Sequence, residues 1–416
     1  MVVGLGYVGL PLALAMLGSG RHVVGLDRPQ VVERLGSGSS HVDDVSDEQV
    51  TLALSGAFTV TSDEACVSRA DTVVVCVPTP LSQAGAPDLG AIESVGRMLG
   101  EHLTAGTLVV LESTTYPGTT EELFLPLLEA GGLKVGTDLN LAFSPERVDP
   151  GNKTYGIQNT PKVVGGVTEQ CTKRAVDFYA GFIDTVVPAR GTREAEMAKL
   201  LENTYRHINI ALVNEMARFS HELGIDLWNV IECAKTKPFG FQAFYPGPGV
   251  GGHCIPIDPN YLSHTVQTRL RYPFRFVELA QEINSSMPGY LARRIQDRLN
   301  DEGKAVRGSV VLLLGVTYKA DIADERESPA VPLAVKLLAM GADVRFHDPY
   351  VSRWNAAEHS EDEHVLIGED DMRSAAEQAD AVVLLQSHAA YLDGALDGLR
   401  LLDTRGVLAG DGVERL

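Results

Sequence analysis

The sequence predicts an α/β chain: two domains, each a doubly wound parallel sheet, joined by one long central helix. At the N-terminus "MVVGLGYVGLPLALAMLGSGRHVVGLDRPQ" reads as strand, glycine turn, helix and strand. From Glu194, "EAEMAKLLENTYRHINIALVNEMARFSHELGID" offers about thirty residues of helix-forming composition with no Gly or Pro before Gly224. From Gly308, "GSVVLLLGVTYKADIADERESPAVPLAVKLLAMGADVRFHDPY" runs again through strand, loop, helix and strand. Both α/β domains are therefore expected to be Rossmann-like.

In chain order, only "MVV" precedes Gly4, where about five residues of first strand are usual, so that strand is short or begins upstream. "HVVGLD" is the second strand. "DTVVVCVP", "GTLVVLEST", "LNLAFSP" and "PKVVGG" follow as apolar strands between helical segments, the pattern of a parallel sheet covered on both faces. The long helix is of a length to link domains and carry a dimer contact. "RFVELAQEINSSMPGYLARRIQDRLN" adds further helix, and "DAVVLLQSH" and "LRLLDTRGVL" are later strands. The expected domains are 1–190, 191–296 and 297–416.

At about 100 to 200 residues per domain, 416 residues also suggest two or three domains. No apolar run nears the ~18 residues of a spanning helix, and no basic segment leads into an apolar one, so a soluble, cytoplasmic protein is expected. The five cysteines (Cys66, Cys76, Cys171, Cys233, Cys254) are scattered and form no CxxC pair, which supports neither a disulfide framework nor a metal site. A formal net charge of −20 argues against nucleic acid or an anionic membrane as partner. An anionic substrate would then need cations gathered in its site.

Gly4, Gly6 and Gly9 in "GLGYVG" fit GxGxxG, whose glycines permit a tight turn, close approach of backbone to pyrophosphate and close helix packing. Asp27 ends the next strand, where a carboxylate accepts hydrogen bonds from the adenosine ribose and repels a 2′-phosphate. NAD is favoured over NADP, although Arg28 beside it supplies a cation.

"FYPGPGVGGHCIPIDP" surrounds Cys254 with glycine and proline and places Asp258 four residues on. A lone cysteine is usually a small buried hydrophobe; here its setting, downstream of a dinucleotide turn, favours a nucleophile. His253 adjoins it, but sequence neighbours usually point apart. Lys199, Asn203 and Arg206 at i, i+4 and i+7 share one helix face, which is either a solvated polar face or a site. Glu146 and Arg147 in "SPERVDPG" follow a strand, a common place for functional side chains, though Glu146 could be a surface charge or cap. In the second α/β domain Lys319 and Arg326 are cations near a strand's carboxyl end, but without GxGxxG a second dinucleotide is not expected there.

"GLGYVGLP", "VPTP", "EST", "SPERVDPGN", "KLLENTYRHINIALVNE", "GPGVGGHCIPIDP" and "YKADIADERESP", in that order along the whole chain, resemble the nucleotide-sugar 6-dehydrogenases of the UDP-glucose/GDP-mannose dehydrogenase family. The resemblance implies an N-terminal NAD-binding domain, a central dimerising helix and a C-terminal domain for the nucleotide of the sugar. It implies Cys254 as nucleophile, Lys199 as the charge at the reacting oxygen, Glu146 as general acid/base, and Asp258 and Asn203 as partners of catalytic water and oxyanion. By the same resemblance Tyr7, Val8, Asp27, Thr79, Thr114 and Arg326 contact NAD. Arg147, Val148, Arg206, the loop with Tyr245, Gly247, Gly249 and Gly251, and Tyr318, Lys319 and Arg405 contact substrate. Pro150 stands where UDP-glucose enzymes carry a second glutamate, which disfavours glucose. Other segments look most like the UDP-N-acetylglucosamine branch, with UDP-glucose and UDP-N-acetylmannosamine as alternatives. The setting this suggests is synthesis of a surface polysaccharide or of a specialised metabolite.

The chemistry would be a four-electron oxidation at C6, alcohol to carboxylate, through a thiohemiacetal and thioester on Cys254. A β-hydroxyacid dehydrogenase shares the glycine turn and a helical lysine but needs no cysteine. A non-catalytic sensor of NAD or nucleotide sugar would have no use for Cys254 with Asp258.

Overall fold

The computed structural model describes every residue except 43, 82–85, 150, 151, 153, 253, 254 and 357–364. The chain divides into two compact units: residues 1–202 with 260–271, and residues 203–259 with 272–416.

Among the described residues, the first unit carries an eight-stranded sheet: β1 (Val2–Val3), β2 (Val23–Leu26), β3 (Phe58–Thr61), β4 (Thr72–Val75), β5 (Leu108–Leu111), β6 (Asn140–Phe143), β7 (Lys162–Gly166) and β8 (Val186–Pro188). Their spatial order is β3-β2-β1-β4-β5-β6-β7-β8, and β1 to β6 run parallel. The centre of the sheet is apolar on both faces, with Val73, Val109, Val110 and Leu111 fully buried. One pair departs from the all-parallel expectation: β6 meets β7 antiparallel, Ala142 opposite Gly166 and Phe143 opposite Gly165. The intervening chain, 144–161, forms no helix among its described residues, in keeping with a reversal of direction, since parallel returns usually cross over through a helix.

The long helix runs Thr192–Glu222, 31 residues, close to the stretch expected from composition. Its first turns are fixed within the first unit by buried Glu196. That carboxylate accepts hydrogen bonds from Gly118 N (2.6 Å), Thr120 N (2.9 Å) and Thr120 Oγ1 (2.7 Å), so three donors of the turn after β5 are satisfied by one side chain.

The second unit carries an all-parallel five-stranded sheet among its described residues. In chain order come β9 (Val310–Leu314), β10 (Asp343–His347), the separate antiparallel pair β11 (Arg353–Asn355) and β12 (Val365–Ile367), then β13 (Ala381–Leu384), β14 (Leu401–Asp403) and β15 (Val413–Arg415). The sheet order is β10-β9-β13-β14-β15. The Arg275–Asp301 helix and the Ala330–Met340 helix cover it, burying Met287, Leu291, Ile295, Leu333 and Leu337 against Val311 and Leu313.

The two sheets open with the same backbone device. After β1, Gly4 (φ +90°) donates its N–H to Leu26 O at 2.9 Å, and Leu5 N donates to the Asp27 carboxylate at 2.6 Å. After β9, Gly315 (φ +78°) donates to His347 O at 2.9 Å, and Val316 N donates to the Asp348 carboxylate at 2.7 Å. In each, a positive-φ glycine turns the chain out of the first strand and a carboxylate ending the second strand secures the next amide.

Candidate active site

In the first unit the glycine turn leads into the Gly9–Gly18 helix, and its glycines are not interchangeable. A Cβ on Gly4 would stand 2.6 Å from Cys76 O, and one on Gly9 would stand 1.8 Å from Gly4 O; one on Gly6 would meet nothing within 4 Å. Packing therefore demands Gly4 and Gly9, whereas Gly6 keeps a space open beside a helix N-terminus. That space fits a pyrophosphate. Tyr7 and Val8 complete the turn, with Tyr7 exposed. Asp27 accepts from Leu5 N and, at 2.7 Å, from Arg28 N, and the Arg28 side chain extends into solvent. Thr79 is buried after β4, its carbonyl accepting a hydrogen bond from the Tyr261 hydroxyl, and Thr114 is half-buried after β5. All of these follow carboxyl ends of parallel strands, where such sheets hold ligands.

Glu146 follows β6. Its Oε1 accepts from Arg147 N (2.8 Å) and Val148 N (2.6 Å), and its Oε2 from Lys162 Nζ (2.9 Å). Lys162, the first residue of β7, also donates to Glu112 Oε2 at 2.9 Å, and the Tyr179 hydroxyl donates to Glu112 Oε1. Lys199 Nζ donates to the Glu146 carbonyl oxygen at 3.0 Å, which brings the predicted lysine to the predicted glutamate. The Arg147 guanidinium pairs with Glu202 (2.8 Å) and donates to Pro161 O (2.7 Å).

Burial pushes the Glu112 carboxyl above its ordinary value, against the pull of Lys162. Glu146 is also raised by burial, but the Lys162 charge, the Val148 amide and the Lys199 charge outweigh it and hold the carboxyl below the ordinary range. Burial disfavours the charged form of Lys162, but its two carboxylates more than compensate and keep it an ammonium. Sequence reasoning missed Glu112, Lys162 and Tyr179. The available signals were a glutamate directly after an apolar strand and a lysine heading one.

In the second unit Asn203 Nδ2 donates to Asp258 Oδ2 at 2.5 Å, so the predicted amide and carboxylate are in contact; Asp258 is buried and opens the Asp258–Thr265 helix. Arg206, one turn on, is exposed. Cys254 and its neighbour His253 lie outside the described residues, as does Pro150.

The glycine loop ahead of Cys254 is anchored by a buried polar chain. Gly247 N donates to Asn214 Oδ1 (2.9 Å), Asn214 Nδ2 donates to Asn284 Oδ1 (2.9 Å), and Asn284 Nδ2 donates to His207 O (3.3 Å). At Gly251 the backbones approach closely: a Cβ would stand 2.7 Å from Glu327 O and 2.8 Å from Tyr318 Cβ, and Gly252 N donates to Arg326 O at 3.0 Å. The loop is thereby laid against the segment that carries Tyr318 and Lys319. At Gly249 (φ +142°) a Cβ would stand 3.1 Å from Pro329.

Tyr245 stacks on Trp228, centroids 5.8 Å apart, and its hydroxyl bonds Glu232 at 2.9 Å. Arg405 donates to Leu385 O at 2.6 Å, and desolvation lowers its guanidinium to about 10. Its Nη1 comes 3.4 Å from the place of a Cβ on Gly247. The structure therefore gathers Gly247, Gly251, Tyr318 and Arg405 around one loop system. Arg326 is chelated by Asp324, with Nη2 2.5 Å from Oδ2. The turn after β9 differs from the first at the ligand-facing position: where β1 is followed by Gly6, β9 is followed by buried Thr317, whose hydroxyl bonds Lys319 O (2.8 Å) and lies 3.3 Å from His388 Nε2.

The sequence profiles of three domains of the UDP-glucose/GDP-mannose dehydrogenase family match this chain: the NAD binding domain over residues 1–183, the central domain over 193–286 and the UDP binding domain over 312–410. The chain is 34% identical over 393 residues to a UDP-N-acetyl-D-mannosamine dehydrogenase of Pyrococcus horikoshii, covering 94% of this chain and 89% of that protein. It is 36% identical over 360 residues to a UDP-N-acetyl-D-glucosamine 6-dehydrogenase of Pseudomonas aeruginosa, covering 85% and 83%. The solved structure of the UDP-D-ManNAc dehydrogenase of Pyrococcus horikoshii superposes with a TM-score of 0.87 at 32% identity, over 100% of this chain and 99% of that one.

Proposed function

Because the chain belongs to the UDP-glucose/GDP-mannose dehydrogenase family and is an NAD-dependent nucleotide-sugar 6-dehydrogenase, we propose that it oxidises UDP-N-acetylglucosamine to the 6-carboxylate. Bound NAD supplies the hydride acceptor, twice per sugar. The observation that carries the reading is the joint placement, in one unit, of a glycine turn open at Gly6 and a lysine held at a charged glutamate, Lys199 at Glu146, both past carboxyl ends of strands.

In this reading the Lys199 ammonium stabilises negative charge on the C6 oxygen, and Glu146, a carboxylate, begins the cycle as the acceptor of a hydrogen bond or proton. After the first hydride leaves, the Cys254 thiolate adds to the C6 aldehyde, forming a C–S bond and a thiohemiacetal. Loss of the second hydride gives a thioester. Water, oriented by Asp258 through the Asn203 contact, attacks the thioester carbon, the C–S bond breaks and the thiolate returns. One alcohol, two NAD and one water become one carboxylate, two NADH and three protons. Tyr318, Lys319, Arg405 and the Tyr245 to Gly251 loop hold the nucleotide. The domains at 1–190, 191–296 and 297–416 would divide cofactor binding, catalytic loop with dimerisation, and UDP binding. A cytoplasmic homodimer is part of the proposal.

The "SPERVDPGN" and "FYPGPGVGGHCIPIDP" segments support N-acetylglucosamine, as does the similarity to the Pseudomonas aeruginosa protein. Similarity to UDP-N-acetyl-D-mannosamine dehydrogenases favours the epimer as second reading. Side-by-side assay with UDP-N-acetylglucosamine, UDP-N-acetylmannosamine and UDP-glucose is expected to give the highest kcat/KM for the first and two NADH per sugar. A preference for another sugar overturns the substrate, and a ratio of one overturns the four-electron chemistry. Cys254→Ala is expected to fold and bind NAD yet form no 6-carboxylate; sustained two-NADH turnover by this variant removes the cysteine from the mechanism.

A further inference from the structure

Lys162 enters neither the motifs nor the steps above, yet it is 4% exposed and lies between two carboxylates, 2.9 Å from each. Its partners arrive from separate elements: Glu112 from the end of β5 and Glu146 from the end of β6. The Tyr179 hydroxyl from the Glu169–Tyr179 helix closes the far side of Glu112. Cys76, after β4, is close enough to Glu112, Lys162 and Glu146 to feel their charges, and burial raises its thiol well above the usual range. Lys199 touches the Glu146 carbonyl, and Arg147 is turned away to Glu202. Every hydrogen-bonding direction taken up by the Glu146 carboxylate is thus supplied by two amides and one ammonium.

We propose that Lys162 is the positioning residue of the reaction: it fixes the orientation of Glu146 and keeps it charged, while Glu112 is the member of the triad that takes up a proton. The inference rests on Glu146 acting at the reacting centre. Its physical basis is charge counting in a desolvated space. Within the triad two carboxylates and one ammonium leave a net negative charge; the further ammonium, Lys199, lies on the Glu146 side, so the excess is relieved by protonating the carboxylate with fewer charge-stabilising donors. Glu146 has two backbone amides in addition to Lys162; Glu112 has one tyrosine hydroxyl. The opposed directions of the two carboxyls, Glu112 up and Glu146 down, agree with that division.

The test is the pH profile of kcat for the intact enzyme with saturating NAD and UDP-sugar. Lys162→Met is expected to move the acid limb upward by about one to three pH units, with kcat recovering at high pH, because a buried carboxyl without its cation rises by about that much. Lys162→Arg should keep the limb near its wild-type position, and Glu112→Gln should leave it there or move it lower. A Lys162→Met profile of wild-type shape, whether unchanged or uniformly depressed, overturns the proposal. If Lys162→Met does not fold, the Glu112→Gln/Lys162→Met double variant removes the cation while keeping a neutral group at position 112; its acid limb must also rise, and an unmoved limb is equally fatal. Glu146→Gln separates the two readings. Wild-type kcat in that variant refutes the role of Glu146 itself, whereas a large loss there with an unmoved limb in Lys162→Met refutes only the role of Lys162.

Discussion

Gly4, Gly6 and Gly9 meet three different constraints, and only one of them concerns a ligand. Gly9 faces the Gly4 carbonyl so closely that any side chain must push the turn open, while Gly6 faces empty space. Gly9→Ala is accordingly expected to cost at least about 2 kcal/mol of stability, read by denaturant unfolding. Gly6→Ala should unfold like the wild type but bind NAD roughly tenfold or more weakly, about 1.4 kcal/mol, read by calorimetric titration. The reverse pattern would mean that the open space is not where the cofactor approaches. At this scale the sequence was legible wherever the constraint is local: the glycine spacing and Asp27 all lie within the first 27 residues. Glu112, Lys162, Glu196 and Asn284 were not legible, because each acquires its meaning from partners 50 to 78 positions away. A buried charge is invisible in sequence until the fold supplies its counter-charge.

Between elements, the side chains that matter are those that tie one helix to another. His207 and Asn214 on the Thr192–Glu222 helix and Asn284 on the Arg275–Asp301 helix form the buried chain that ends on Gly247. Asn284 Nδ2 also lies 3.4 Å from His207 Nδ1, which leaves Nε2 protonated and, among the described residues, without a hydrogen-bond partner. Burial lowers His207 from 6.5 to about 4. The folded protein therefore keeps this imidazole neutral where the unfolded chain would protonate it. Stability is fully present above pH 6.5 and is lost as pH falls towards 4, by about 3 kcal/mol at most. His207→Phe should flatten the slope of unfolding free energy across that window, measured by urea denaturation at pH 4.5, 5.5 and 7; an unchanged slope would assign acid sensitivity elsewhere. The long helices were readable from unbroken composition. The antiparallel meeting of β6 and β7 was not, since each strand alone reads the same in either direction.

For the whole molecule, the long helix presents an apolar face that the single chain leaves to solvent. Leu201, Tyr205, Leu212 and Phe219, spaced by 4, 7 and 7, are 60%, 46%, 53% and 46% exposed, and Leu223, just past the helix end, is 67% exposed. In the homodimer proposed above, a second copy would cover this face and gain from its burial, while a net charge of −20 opposes unspecific association. The Leu212→Glu/Phe219→Glu double variant is expected to sediment as a monomer where the wild type sediments as a dimer. A wild type that is itself monomeric at micromolar concentration, or a double variant that remains dimeric, would count against the homodimer. No helix among the described residues is long and apolar enough to cross a membrane, so the stripe is not part of a spanning segment.

The turn built after β1 and again after β9 also bears on ancestry. Duplication of one unit would place "GLGYVG" at both sites, and "GVTYKA" matches it at the first glycine and at the tyrosine alone. It keeps Gly315 and Asp348, the letters on which the strand-to-strand hydrogen bonds depend. Thr317 replaces the glycine that admits a pyrophosphate. Ala320 replaces the glycine that lets a helix start at once, in a copy whose helix begins only at Ala330. The first glycine and the strand-end carboxylate, which fix the strand-to-strand bonds, recur in both turns, whereas the ligand-facing glycine and the helix-packing glycine stand only in the first. The first glycine and the strand-end carboxylate therefore mark the strand-to-strand turn itself, and the residue two places after that glycine decides whether the turn can admit a guest.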